Sequence, residues 1–153
     1  MRRKEKEITR RADLESIIMR SHVCRLALSE GDQPYLVPLC FGYKDNALYF
    51  HSAREGRKVD ILRRNNKVCF ELDIDHELVK AEKACEWGMK YRCVIGFGRA
   101  FFLDEPQSKR TALDIIMEHY SGKGPFSYAE KGFEKSIIIK VEIEFMTGKK
   151  SGY

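Results

Sequence analysis

The stretch LYFHSAREGRKVDILRRNN, residues 48–66, gathers His51, Ser52, Arg54, Arg57 and Lys58 where an apolar, strand-like run gives way to a charged, helix-like one. A helix that starts near Glu55 or Gly56 presents unpaired N–H groups and a partial positive charge at its first turn, and both attract phosphate. Arg57 and Lys58 add full charges to that dipole. Gly56 lacks the Cβ that would hold a ligand off the backbone, and the Ser52 hydroxyl is one more donor. The parts of a phosphate site therefore lie within residues 52–58. Each part also has an ordinary use: serine as a helix cap, histidine as a satisfied or exposed side chain, arginine and lysine as a solvated face.

Other chemistries find less support. There is no GxxxxGK[ST] and no GxGxxG following a strand, so nucleotide binding in the usual α/β manner is disfavoured, and the GFG at 96–98 is too short to serve as a fingerprint. Cys24, Cys40, Cys69, Cys85 and Cys93 make an odd set without a CxxC, mostly inside apolar runs; free buried thiols are expected rather than a disulfide framework or structural zinc. Cys69, His76, Cys85 and Cys93 match none of the compact metal-ligand spacings, so no metal is expected.

The joint has to be positioned by the elements around it. An amphipathic helix is expected over 12–20, a strand over 23–29, a turn at EGDQP, and a strand over 35–44. Pro38 gives that second strand no ladder donor at one position, which suits an edge or a bulge. Asp45 and Asn46 read as a hairpin turn into a third strand ending at the joint. A short helix then closes on Asn65 and Asn66. A strand over 67–73 follows, and the polar segment 74–90 has no readable period. A long strand over 91–104 carries Gly96 and Gly98 where it bends or is closely approached. A helix over 105–120, a loop, and a strand over 136–150 complete the chain. Six strands with mostly short antiparallel connections indicate a mainly β protein, a small barrel with helices packed outside.

The chain has 153 residues, 43% hydrophobic and 33% charged, which suits one domain spanning residues 1–153. No apolar run approaches the ~20 residues that span a bilayer, and the charged start MRRKEKEITRR is not a secretory signal, so a cytoplasmic protein without membrane partners is expected. The net charge of +5 sits largely in MRRK and GKK, and the aromatics alternate into strands, so nucleic acid is not an expected partner.

Across these same elements the chain resembles the FMN-binding split β-barrels of the pyridoxamine 5′-phosphate oxidase-like superfamily, and most closely the nitroimidazole resistance (Nim) proteins. The likeness runs through CRLAL, PYLVPLCFGY, LYFHSAREGRK, VCFELD and YRCVIGFGRA, and the specific part is PYLVPLCFGY…LYFHSA…GRK. It implies a six-stranded antiparallel barrel, dimeric, with a flavin in a groove at each end of the subunit interface. Val37, Pro38, Leu39 and Cys40 would flank the flavin ring. His51, Ser52 and Ala53 would meet the ribityl phosphate, with Arg57 and Lys58 neutralising it. Trp87 and Arg92, in or near the strand over 91–99, would contribute from the partner subunit.

The activity so implied is that of an FMN-dependent oxidoreductase reducing a small, nitroaromatic substrate, with NAD(P)H as the candidate electron donor. His51 is the candidate catalytic proton donor, or a phosphate ligand instead. The alternative is a non-catalytic protein on the same barrel carrying flavin, FMN or FAD, or else haem, with His51 or His22 as iron ligand. The tail TGKKSGY lacks the Arg-rich segment expected of a true pyridoxamine 5′-phosphate oxidase, which disfavours vitamin B6 oxidation.

Overall fold

Alternating apolar and polar residues bury one face of each strand. The computed structural model, which describes residues 3–153, folds them into one antiparallel sheet. Its strands are β1 (Glu7–Ile8), β2 (Cys24–Glu30), β3 (Gln33–Leu39), β4 (Gly42–Lys44), β5 (Ala47–Ala53), β6 (Lys67–Val79), β7 (Gly88–Leu103) and β8 (Ser136–Ser151). They are ordered β3-β2-β6-β7-β8-β5-β4, with β1 paired to the end of β8. The two edge strands, β3 and β4, are consecutive in the chain, so the sheet curls back on itself as a split barrel. The helices are α1 (Arg11–Arg20), α2 (Arg57–Arg64), α3 (Pro106–Ser121) and α4 (Glu130–Lys135).

Among the described residues the strands number eight, not the expected six. The run over 35–44 breaks at residues 40–41, where Phe41 turns wholly inward and gives its N–H to the Tyr120 hydroxyl at 3.0 Å. The other addition is the two-residue β1, too short to show a period. Pro38 lies on an edge strand as expected, and Asp45 and Asn46 take the left-handed conformation of a tight hairpin, φ 50° and 59°. The unreadable segment over 74–90 is the outer part of the β6–β7 hairpin, kinked by a bulge at residues 74–77 with Asp75 at φ 58°.

Leu26, Phe41, Leu48, Phe50, Phe70, Leu72, Val94, Ile139 and Val141 fill the interior with no exposure. Each large side chain contributes roughly 1.5–3 kcal/mol of burial. α2 plugs one end through Val59, Ile61 and Leu62. α3 opens on Pro106, is capped by the Glu105 carboxylate accepting from Gln107 N and Ser108 N, and packs Ala112 and Ile116 on Ile138 outside the sheet. It approaches β4 so closely that a Cβ on Gly42 would lie 2.6 Å from the Ile115 carbonyl oxygen. Gly96 likewise makes room for the Phe70 ring. The five thiols are free, but Cys40 and Cys85 are exposed rather than buried. Among the described residues no helix is long and apolar enough to cross a membrane.

Candidate functional site

β5 pairs with β4 only through residues 47–49. Beyond them the preceding chain has left β5 at residues 40–41 and, as β3, pairs with β2 instead. The free edges of β3 and of β5 over 51–53 therefore diverge from the Cys40–Phe41 corner and bound a groove. The first turn of α2 closes its far end, where the Arg57 guanidinium lies 4.7 Å from the centroid of the Tyr35 ring on β3. Residues 37–40 thus lie on or just after β3, residues 51–53 on β5, and Arg57 and Lys58 in the first turn of α2, so the strand order sets them around this gap.

Within the groove the side chains alternate. Val37 and Leu39 pack inward on the core, whereas Pro38 and Cys40 are exposed. His51 and Ala53 are exposed on one face of β5, and Ser52 is buried on the other at 6% exposure, so its hydroxyl does not share their side. Trp87 and Arg92 are not part of this assembly in the single chain. Arg92 pairs in register with Lys150 at one end of β8, and Ala53 with Ser136 at the other. The Trp87 indole N–H is satisfied by the Ala81 carbonyl at 2.7 Å, and Arg92 pairs with Asp75 and lies over Tyr153.

The electrostatics separate the cations of the joint. Arg54 is committed: it forms a two-pronged pair with Asp104, 2.7 Å on one prong, and donates to the Glu134 carbonyl at 2.8 Å, tying β5 to the starts of α3 and β8. Arg57 is partly committed, with Tyr35 beneath it and Glu30 at 3.4 Å; Arg64 takes the other oxygen of Glu30 at 2.7 Å. Lys58 is half-buried and has neither ion pair nor hydrogen bond among the described residues, and burial pushes its pKa down. Gly56, at φ 120°, starts α2 without a side-chain cap; Val59 N–H donates to the Gly56 carbonyl at 2.8 Å, and the N–H groups of Arg57 and Lys58 have no acceptor among the described residues. An uncompensated ammonium beside unpaired N–H groups suits a phosphate monoester. Sequence reasoning missed Glu30 and Tyr35, which lie 27 and 22 positions before Arg57 and carry no motif.

The outer face of the sheet carries a second feature. Leu36, Ala27, Cys69, Phe97 and Phe145 are in register across β3, β2, β6, β7 and β8. Leu36, Phe97 and Phe145 are more than half exposed. Ion pairs flank the row, Arg25–Glu71 at 3.0 Å and Arg99–Glu144 at 2.7 Å. A cavity of about 450 Å³ lies elsewhere, among Arg10, Asp13, Arg20, Arg92 and Lys150, and includes none of the joint residues. Among the described residues no three His, Cys, Asp or Glu side chains gather as a metal site.

Comparison with known proteins adds four findings. The family model for pyridoxamine 5′-phosphate oxidase matches residues 10–150. The chain is similar to a solved "putative 5-nitroimidazole antibiotic resistance protein" from Bacteroides thetaiotaomicron, 36% identical over 94% of this chain and 86% of that one, with a TM-score of 0.83. It shares its fold with an FAD- and haem-binding protein from Mycobacterium smegmatis, 19% identical over 97% of this chain and 74% of that one, TM-score 0.86. The uncharacterized protein RA0666 of Rhizobium meliloti is 34% identical over 62 residues; the match spans 40% of this chain and 40% of that protein.

Proposed function

The chain belongs to the pyridoxamine 5′-phosphate oxidase family, and on that premise we propose that it is a homodimeric, FMN-dependent reductase of the nitroimidazole-resistance type. Lys58 is the observation that carries the proposal: a half-buried cation without a partner, beside an uncapped helix start, favours an anion at that point. The FMN phosphate would be held by Lys58, Arg57 and the first N–H groups of α2. The ring would lie along residues 37–40, whose edge has main-chain groups unclaimed by any strand.

The groove is open along one side in a single chain, and the apolar row reaches its rim through Leu36 on β3. We propose that a second copy of the chain covers this row, since an apolar stripe framed by ion pairs has the anatomy of an interface. Trp87 and Arg92 of that copy are then the candidate contacts that complete the site. FMN, when bound, supplies electron transfer in pairs or singly. The chain binds the phosphate, orients the ring and shields one face from water, while exposed His51 at the groove mouth can hand a proton to a substrate. NAD(P)H is the proposed electron donor and a small nitroaromatic the proposed substrate.

Purified protein should bind FMN and, loaded with it, oxidise NADH or NADPH in the presence of a 5-nitroimidazole. Binding without turnover would reduce the proposal to a flavin carrier. A protein that takes up haem and refuses flavin would overturn it.

A further inference from the structure

The groove opens from one point, and a single hydroxyl holds that point. Tyr120, in the last turn of α3, accepts the N–H of Phe41 at 3.0 Å and donates to the His22 carbonyl at 2.8 Å. It is thereby shared between the β3–β4 corner and the link from α1 to β2. Phe41 is fully buried and outside both flanking ladders, so this hydroxyl is what satisfies its N–H. The neighbouring His119 packs its ring on Phe41, centroids 4.3 Å apart, and its Nε2 is 2.7 Å from the Ser21 carbonyl. A carbonyl only accepts, so Nε2 carries the proton there. The last turn of α3 therefore pins the corner to a fixed place relative to the start of β2.

We propose that Tyr120 is the positioning residue of the cofactor groove: by fixing the Cys40–Phe41 corner it sets how far β3 stands from β5, and so the width offered to the flavin ring. This rests on the flavin reading above. β3 is held by a strand on one side only, its ladder with β2, so a shift of the corner is opposed at residues 37–39 by that ladder alone.

The test is Tyr120→Phe, which keeps the ring and removes the bridge, with Tyr128→Phe as control, since Tyr128 donates to Asp114 away from the corner. Hydrogen exchange of residues 37–41 is followed without ligand, and FMN affinity and the visible spectrum of bound FMN are measured alongside. Tyr120→Phe should speed exchange in that segment, shift the flavin spectrum and weaken FMN about tenfold, because a corner freed of the bridge has to be ordered again when the ring binds. Tyr128→Phe should change none of these. Should Tyr120→Phe fail to fold, 3-fluorotyrosine at position 120, a weaker acceptor, carries the same readouts in graded form. The proposal is overturned if exchange is unchanged, or if stability falls while FMN affinity and spectrum stay those of the parent protein. If the parent protein binds no FMN, it is the flavin reading that fails, and exchange alone then decides whether Tyr120 holds the corner.

Discussion

The Arg57 guanidinium lies 4.7 Å from the centre of the Tyr35 ring, and this contact spans the far end of the groove between β3 and α2. It makes Arg57 part of the wall, a role that Glu30 at 3.4 Å reinforces. Lys58, the next residue, has no such partner among the described residues. Two cations that look equivalent in the sequence are therefore in different electrostatic situations, and the free one is the better phosphate ligand.

Lys58→Ala should accordingly weaken FMN by about 1.5–3 kcal/mol, the usual contribution of a charge-assisted hydrogen bond. Arg57→Ala should cost less, because Arg57 already spends part of its charge on Glu30. Fluorescence titration of the two single variants and the double variant checks this. An Arg57 effect larger than that of Lys58 would reverse the assignment.

The apolar row predicts an oligomer. Phe97→Glu places a charge in the middle of five registered apolar side chains, where desolvating it would cost several kcal/mol. Sedimentation velocity should find the parent chain as a dimer and the variant as a monomer, with FMN binding weakened in parallel. A dimer that survives the substitution would place the interface elsewhere.

Asp75 predicts a graded loss of stability. Its carboxylate pairs with both Arg20 and Arg92, its carbonyl accepts the Tyr153 hydroxyl at 2.8 Å, and its φ is 58°. Burial raises its pKa, but the two arginines outweigh burial and hold it below the ordinary carboxylate value. Asp75→Ala should cost about 1–3 kcal/mol in lost charged hydrogen bonds and about 1 kcal/mol more in left-handed strain. Asp75→Gly loses the same bonds without that strain. Urea denaturation should therefore rank Asp75→Ala below Asp75→Gly, and equal stabilities would remove the backbone part of the explanation.

His119 predicts an acid-sensitive step. Burial, with a smaller contribution from His22, lowers its pKa below the ordinary 6.5, and Nδ1 is buried without a partner. Tyr43 and Lys44 of β4, Glu118 of α3 and Lys123 beyond it line the same small cavity. Below 6.5 the unfolded chain takes up a proton that the folded chain resists, so the unfolded state is favoured as pH falls. The stability contribution is complete above 6.5 and is lost downward through the folded value. Chemical denaturation across pH 7 to 5 should show this slope in the parent protein and a flatter one in His119→Gln; parallel slopes would assign the loss to other groups.

The joint was legible because strand alternation, Gly56 and the adjacent Arg57 and Lys58 are local signals. The Asp45–Asn46 turn and the edge position of Pro38 were legible for the same reason. The break at residues 40–41 was not, because YLVPLCFGYK is a continuous apolar run and the group that interrupts it, the Tyr120 hydroxyl, is 79 residues away. Arg54 stands at the same joint as Arg57 and Lys58 in the sequence, yet it is committed to Asp104, 50 residues on. The outer part of the β6–β7 hairpin was invisible because residues 76–78 and 82–89 are exposed and leave no buried period to read. Partners distant in sequence, and faces that another chain would cover, leave no local trace.

The most direct measurement is a paired fluorescence titration of the purified protein with FMN and with riboflavin, which lacks only the phosphate. A phosphate gripped by Lys58 and the start of α2 predicts that FMN binds at least about tenfold tighter, the equivalent of 1.4 kcal/mol. Equal affinities, or no binding of either flavin, would contradict the account.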